Sequence, residues 1–364
     1  MKYIGEPNML LEALAWLGRK AAGRSVGDLE DRLTARGIRP TKDFRERLAP
    51  LTALSRHLHA PDQETLKHLF GNLQGFAYNV IGLYSVGFLL FYPMIWEYKG
   101  DFDALLAKME SLSPDQVARN IMLTLGLRDH LPTEENGCSA LLVEHVLQMG
   151  IPPESCVAIL NAHREYKTLL PEVAGELRPI LNELESQRPA MKKLAEAFGE
   201  ELMEIGCGEY IRSTSALEYN EAYRLHPLLL APDTNLSLEP EADGVTTDVY
   251  CGVLRHIIQK LLSTADDLEA QVFEIMNLLG DRTRYNIMCY ISRQPSYGQE
   301  LSNHFGIARN TVNFHMNKLV DAGLVNSSAT GNRVYYSIDQ QHLDWWISQF
   351  RKLMLSGRYT SMLN

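Results

Sequence analysis

The chain has 364 residues, of which 45% are apolar, and 35 basic against 45 acidic side chains give a formal charge of −10. That length suits two or three domains with sizeable cores, and 22% charged residues with ordinary Gly and Pro content exclude a disordered or fibrous chain. Five cysteines (138, 156, 207, 251 and 289) without a C-x-x-C pair argue against a disulfide framework or thiolate zinc site, and residues 1–7 lack a signal-peptide apolar stretch, so a cytoplasmic protein is expected.

In chain order, the first two hundred residues read mainly as helices. Apolar residues recur at three- and four-residue spacing through Leu10, Leu11, Leu14 and Leu17, and again through Phe44, Leu48, Leu51, Leu54 and Leu58. Ser25 and Asp28 have capping-box spacing, and Ser113-Pro114 supplies an N-cap with proline at the first helical position. The 28 residues 69–96 carry no formal charge. Asn72, Gln74, Asn79, several glycines and Pro93 interrupt them, and Lys67 and Lys99 flank them symmetrically, so the segment reads as a buried core helix and no membrane span is expected. Its aromatics, Tyr78, Tyr84, Phe88, Phe91, Tyr92 and Trp96, suit either ordinary core or a pocket for a small apolar effector. His57 and His59 splay to different sides of a helix, so no metal is expected there.

Further helices are predicted at about 101–111, 138–149, 153–166, 171–186 and 189–205. Pro227, Pro232, Pro240 and Asp243-Gly244 then punctuate short runs, so 210–250 is predicted as a small β-containing or irregular insert. A helix at 253–263 leads to a hinge, which divides the chain into a helical sensing or oligomerisation domain (1–265) and a second domain (266–364).

From Gln271 onward nine Lys or Arg face six Asp or Glu, +3, leaving 26 − 39 = −13 for the preceding residues, so only the C-terminal part suits a polyanion. There the order is helix 268–279 stopped by Gly280, Asp281 capping helix 282–292, Pro295, and a short helix opened by Ser296-Tyr297-Gly298-Gln299 in capping-box form. Gly306-Ile307 turns into helix 308–321, and strands 324–329 and 333–338 flank Thr330-Gly331-Asn332 before helix 342–355, apolar at Leu343, Trp346, Ile347, Phe350 and Met354. Helix, turn, helix and β-hairpin make a winged helix-turn-helix, whose second helix enters the major groove. With Val312, Met316 and Leu319 inward, the outward set is Arg309, Asn310, Asn313, Phe314 and Asn317. Arg matches guanine, Asn matches adenine, and Phe314 suits a thymine methyl or packing on the wing. Lys318 is an expected phosphate contact, Arg333 at the hairpin is placed to reach phosphate or the minor groove, Ser296, Tyr297 and Gln299 are expected donors to the DNA backbone, and Thr311 is a further DNA-binding candidate.

Gly280-Asp281-Arg282-Thr283-Arg284, Leu301 with Gly306-Ile307, Thr311 to Met316, Leu324-Val325 and Arg333 to Ile338 together resemble the ArsR-type winged-helix repressors over about a hundred residues. The resemblance implies a homodimeric bacterial regulator that binds an inverted repeat, with groove-reading positions at Arg309, Asn310, Asn313 and Phe314 and dimer contacts through 268–279 and 342–355. Two departures stand out. The metal-binding cysteines of many members are absent from 296–301, and His342-Leu343-Asp344-Trp345-Trp346 is not the family's Asp/His pattern, so metal sensing at those places is not expected. Ala308 stands where the family usually has a Ser N-cap. The large N-terminal part resembles, more faintly, the helical regions that precede the winged helix in some long ArsR-type regulators, a likeness carried by the stretch 223–253.

The chain carries no P-loop, dinucleotide glycine fingerprint, H-E-x-x-H or nucleophile elbow. The expectation is therefore a mainly α, non-enzymatic, cofactor-free regulator of double-stranded DNA. The alternatives are constitutive DNA binding with the N-terminal domain as a protein platform, and a catalytic domain fused to a DNA-binding module.

Overall fold

The structure, a computed structural model, describes residues 1–35, 38, 40–76, 82–132, 136–215, 220–238, 247–262, 265–330 and 333–355, without the side chains of 265–270, 329, 330, 333, 352 and 355. Its chain forms two compact units. The first comprises Met1–Glu30, Thr41–Thr214 and Glu218–His256; the second comprises Asp31–Pro40, Ser215–Leu217 and Ile257–Asn364. The division falls inside helix Arg255–Leu262, ahead of the hinge expected at 264–267.

In the first unit, helix Met9–Ala21 is capped by Asn8, whose side chain accepts from the Leu11 amide. It packs against helices Gln63–Phe70 and Tyr166–Ser186 and is buried on every side from Met9 to Arg19. The expected apolar stripe is therefore only part of its contact surface, and two ionisable residues go inside with it. Glu12 accepts the consecutive amides of Leu229 and Leu230, one on each oxygen and both at 2.8 Å. Arg19 pairs with Asp233 at 2.6 Å. A buried charge needs such partners, because removing it from water unpaired is far costlier than the pair.

Ser25 and Asp28 do form a reciprocal box, each side chain accepting the other's amide, directly ahead of helix Leu29–Ala35. Ser113 and Gln116 form another at the start of helix Pro114–Thr124. The helices Cys138–Gln148, Pro153–Arg164, Tyr166–Ser186 and Arg188–Ile205 follow close to their expected bounds.

Residues 69–96 are not one helix. Helix Gln63–Phe70 ends at Gly71, helix Val86–Phe91 is six residues long, and a 3-10 turn covers Tyr92–Ile95. Gly82 explains part of the break. Its φ of +68° is strained for any residue with a side chain, and a Cβ there would stand 2.7 Å from the Phe70 carbonyl and 3.0 Å from the Gly18 Cα. Among the described residues no helix is long and apolar enough to cross a membrane.

The predicted insert supplies three strands of a four-stranded sheet whose remaining edge strand comes from the start of the chain. Strands β1 (Lys2–Tyr3), β2 (Arg224–Leu228), β3 (Asn235–Leu238) and β4 (Asp248–Gly252) lie in the order β1-β2-β4-β3. Strand β2 runs parallel to β1 and β4, while β3 is antiparallel to β4. This register sets Arg224 beside Asp248 and His226 beside Tyr250 on one face. The buried Asp248 carboxylate takes Arg224 Nε at 2.6 Å and Nη2 at 3.0 Å, His226 Nε2 at 2.9 Å and the Trp96 indole at 2.6 Å.

The second unit has its own core, built from Ile275, Ile287, Met288, Ile291, Leu301, Val312, Met316, Leu319, Leu324, Val325 and Tyr336. Helices Ala265–Leu279, Arg282–Ile291, Gly298–Phe305, Arg309–Asp321 and Gln340–Leu355 surround it. A three-stranded sheet of β5 (Ser296–Tyr297), β6 (Val325–Thr330) and β7 (Arg333–Ile338) runs in the order β5-β7-β6, all antiparallel. Mainly α with a winged helix-turn-helix at the C-terminal end is thus the fold of the chain.

Candidate nucleic-acid interface

Three local devices aim helix Arg309–Asp321. Asp281 accepts from the Arg284 amide at 2.9 Å and so caps helix Arg282–Ile291; that bond, ahead of the burial that opposes it, holds the Asp281 carboxyl below its ordinary range. Arg284 turns back to donate to the carbonyls of Leu278 (2.5 Å) and Asn277 (3.3 Å), closing the end of helix Ala265–Leu279. Between the paired helices, Gly306 takes φ +64° and Ser302 donates to the Ile307 carbonyl at 2.7 Å, which fixes the turn.

Val312, Met316 and Leu319 are fully buried, spaced three and four apart as one helical face requires. The opposite side, with Arg309, Asn310, Thr311, Asn313, Phe314, Asn317 and Lys318, is exposed. Sequence reasoning missed one arrangement on that side. The Lys318 ammonium sits 4.5 Å from the Phe314 ring centroid, one helical turn on, while the ring remains 54% exposed. The spacing i, i+4 of an aromatic and a lysine was the available signal. Phe314 also meets His315 edge-on, with centroids 5.6 Å apart.

Ala308 occupies the N-cap position with φ −59° and ψ 143°, and no side chain accepts the first helical amides. Behind it, burial lifts the Tyr336 hydroxyl above its ordinary range, with the nearby charge of Arg309 opposing.

Around the preceding helix the sequence expectations need correction. Ser296 and Tyr297 form β5, paired to Tyr336 and Tyr335 of β7. Ser296 is therefore 0% exposed, its hydroxyl bonds the Gln294 carbonyl at 3.4 Å, and it drops out as a backbone-contacting donor. The helix start is held instead by Glu300, whose carboxylate accepts the Tyr297 amide at 3.1 Å. Gln299 is exposed and donates to Asn303 at 2.9 Å, and Tyr297 is half-buried against Tyr335. The Arg333 side chain and the turn residues 331–332 lie outside the described residues.

The aromatics of 76–96 separate into two groups. Phe88 and Phe91 are fully buried, Phe91 stacking on Phe102 at 6.1 Å, so both serve the core. Tyr84, Tyr92 and Trp96 are half-buried: Tyr84 stacks on Phe76, and Trp96 meets Tyr92 edge-on and donates to Asp248. Tyr78 lies outside the described residues. Among the described residues no group of three His, Cys, Asp or Glu is placed to hold a metal ion.

Comparison with known proteins bears on the C-terminal unit. Residues 281–327 match the model of the bacterial regulatory protein, arsR family. Over 71 residues the chain is 31% identical to the arsenical resistance operon repressor of Staphylococcus xylosus; the matched stretch is 20% of this chain and 68% of the repressor. No solved structure matches the chain. The match begins at the capping aspartate of helix Arg282–Ile291, runs through both helices of the pair and ends in the first wing strand. The chain, a DNA-binding transcriptional regulator, belongs to the arsR family of bacterial regulatory proteins.

Proposed function

We propose that the protein represses transcription by binding an inverted-repeat operator as a homodimer, and that its N-terminal part tunes this binding by sensing an effector or by oligomerising. The observation that carries the reading is the exposed side of helix Arg309–Asp321, where Arg309, Asn310, Asn313 and Asn317 present base-matching groups on a helix whose other side is core. Lys318 adds a cation for the phosphates. Repression is the role named for the staphylococcal relative.

Homodimerisation is supported by the two outer helices. Phe273 (62% exposed) and Met276 on Ala265–Leu279, with Ile347 (49%) and Met354 on Gln340–Leu355, are large apolar side chains left in water by the single chain. These helices pack on each other, the Trp346 indole donating to the Val272 carbonyl at 3.3 Å, so the exposed apolar residues lie on two adjacent helices. Paired copies would set two reading helices against half-sites about one helical turn apart. Half-buried Tyr84, Tyr92 and Trp96 are the described residues we assign to a small apolar effector.

Selection of bound duplexes from a random pool, followed by titration of the preferred duplex, tests the reading. Arg309→Ala should weaken the preferred duplex by about 1–3 kcal/mol and relax the choice at one position per half-site. Equal losses on preferred and random DNA would show that Arg309 reads no base.

A further inference from the structure

On the exposed side of helix Arg309–Asp321 every neighbour of Phe314 is polar or charged, yet its ring is 54% in water. The ring lies outside the core of the unit. The core beneath is complete without it, since Val312, Met316 and Leu319 are each fully buried. Nor is the ring loose. Lys318 Nζ stands 4.5 Å from its centroid and His315 meets it edge-on, so two neighbours on the same helix hold it. An apolar surface held still amid hydrogen-bonding groups suits an apolar feature in an otherwise polar ligand. In the major groove the apolar feature of a base pair is the C5-methyl of thymine.

We propose that Phe314 is a specificity residue that reads a pyrimidine C5-methyl, and that Lys318 is the positioning residue that holds its ring. The inference rests on the DNA-binding reading above and names one base that it selects. Asn310 and Phe314 are one turn apart on one face, about 6 Å along the helix, so thymine is required roughly two base-pair steps from the base met by Asn310. The Lys318 ammonium balances two roles here. Over the ring it fixes Phe314, and its charge favours the phosphates flanking the same groove.

The experiment uses the full chain and the duplex obtained by selection from a random pool. Each thymine is replaced in turn by deoxyuridine, which removes one methyl and leaves every hydrogen-bonding group unchanged. One thymine per half-site should show about a fourfold loss of affinity, the worth of one buried methyl-sized group. Phe314→Ala should bring the thymine-to-uracil ratio at that position to one. Lys318→Met should lower the ratio and Lys318→Arg should keep it, since arginine serves a ring face at least as well as lysine. A selected duplex bound equally with thymine and uracil at every position overturns the inference while leaving the DNA-binding reading intact. So does a Phe314→Ala protein that still discriminates. A selection that returns no preferred sequence overturns both.

Discussion

Glu12 offers a direct check on how the first unit holds together. Its carboxyl is fully buried on a helix enclosed on all sides, and it takes the Leu229 and Leu230 amides at 2.8 Å each. Burial pushes it from 4.5 up to about 7, with those two amides pulling in the other direction. The folded chain thus binds this proton more tightly than the unfolded chain does. Its contribution to stability is complete below pH about 4.5, is lost as pH rises through about 7, and is constant above that. At about 1.4 kcal/mol per pH unit the whole loss is about 3 kcal/mol, most of it between pH 5 and 8. Glu12→Gln removes the titration and keeps the shape. Its amide group opposes one of the two donors, so at pH 5 the variant should be the less stable protein, by about 1–3 kcal/mol. By pH 8 the wild type has lost its titrating share and the gap should close or reverse. Urea unfolding of both proteins at a series of pH values reads this directly, because every other titrating group cancels in the difference. Curves that stay parallel from pH 5 to 8 would refute the argument.

Three further outcomes follow from other contacts. Burial works against the Asp248 charge, but the bonds from His226, Arg224 and Trp96 outweigh it and hold the carboxyl at about 2. Its share of stability is present above the ordinary 3.8 and lost as pH falls through about 2, so Asp248→Asn should lack that acid limb and lose about 3–5 kcal/mol near neutrality in thermal unfolding. Ala308→Ser should stabilise the second unit by about 1 kcal/mol, because the backbone at 308 is already in the extended form that a capping serine adopts; an unchanged midpoint would count against this. Phe273→Glu combined with Ile347→Glu should give a monomer by light scattering while leaving the fold's circular dichroism intact; a persistent dimer would place the interface elsewhere.

The winged helix was legible because its signals are local. Gly280, Asp281, Pro295, Gly306 and Gly323 each end or begin an element within a few residues of where the structure does. Strand β5 was not, since two residues carry no periodicity and become a strand only through Tyr335 and Tyr336. That non-local pairing is also why Ser296 passed for a surface donor. The sheet of the first unit joins residues more than two hundred positions apart, so the string 223–250 showed turns and β-forming runs but not its parallel order. Asp248 and its partners share no spacing at all; register, not sequence distance, brings Arg224 beside it. The break in 69–96 depends on two backbones meeting Gly82, which a hydropathy pattern does not contain. Phe314 was visible as an outward aromatic, and the i, i+4 spacing put Lys318 within reach of it, but only the side-chain geometry sets the ammonium over the ring.

The enclosed helix Met9–Ala21 has a cost during synthesis. The amides that receive Glu12 are 217 and 218 residues downstream, and the aspartate that receives Arg19 is 214 downstream. At ordinary ribosomal speeds the nascent chain must wait roughly ten to forty seconds before those partners are made. Until then the apolar side chains of this segment cannot be fully enclosed, and that exposed apolar surface suits a holding chaperone.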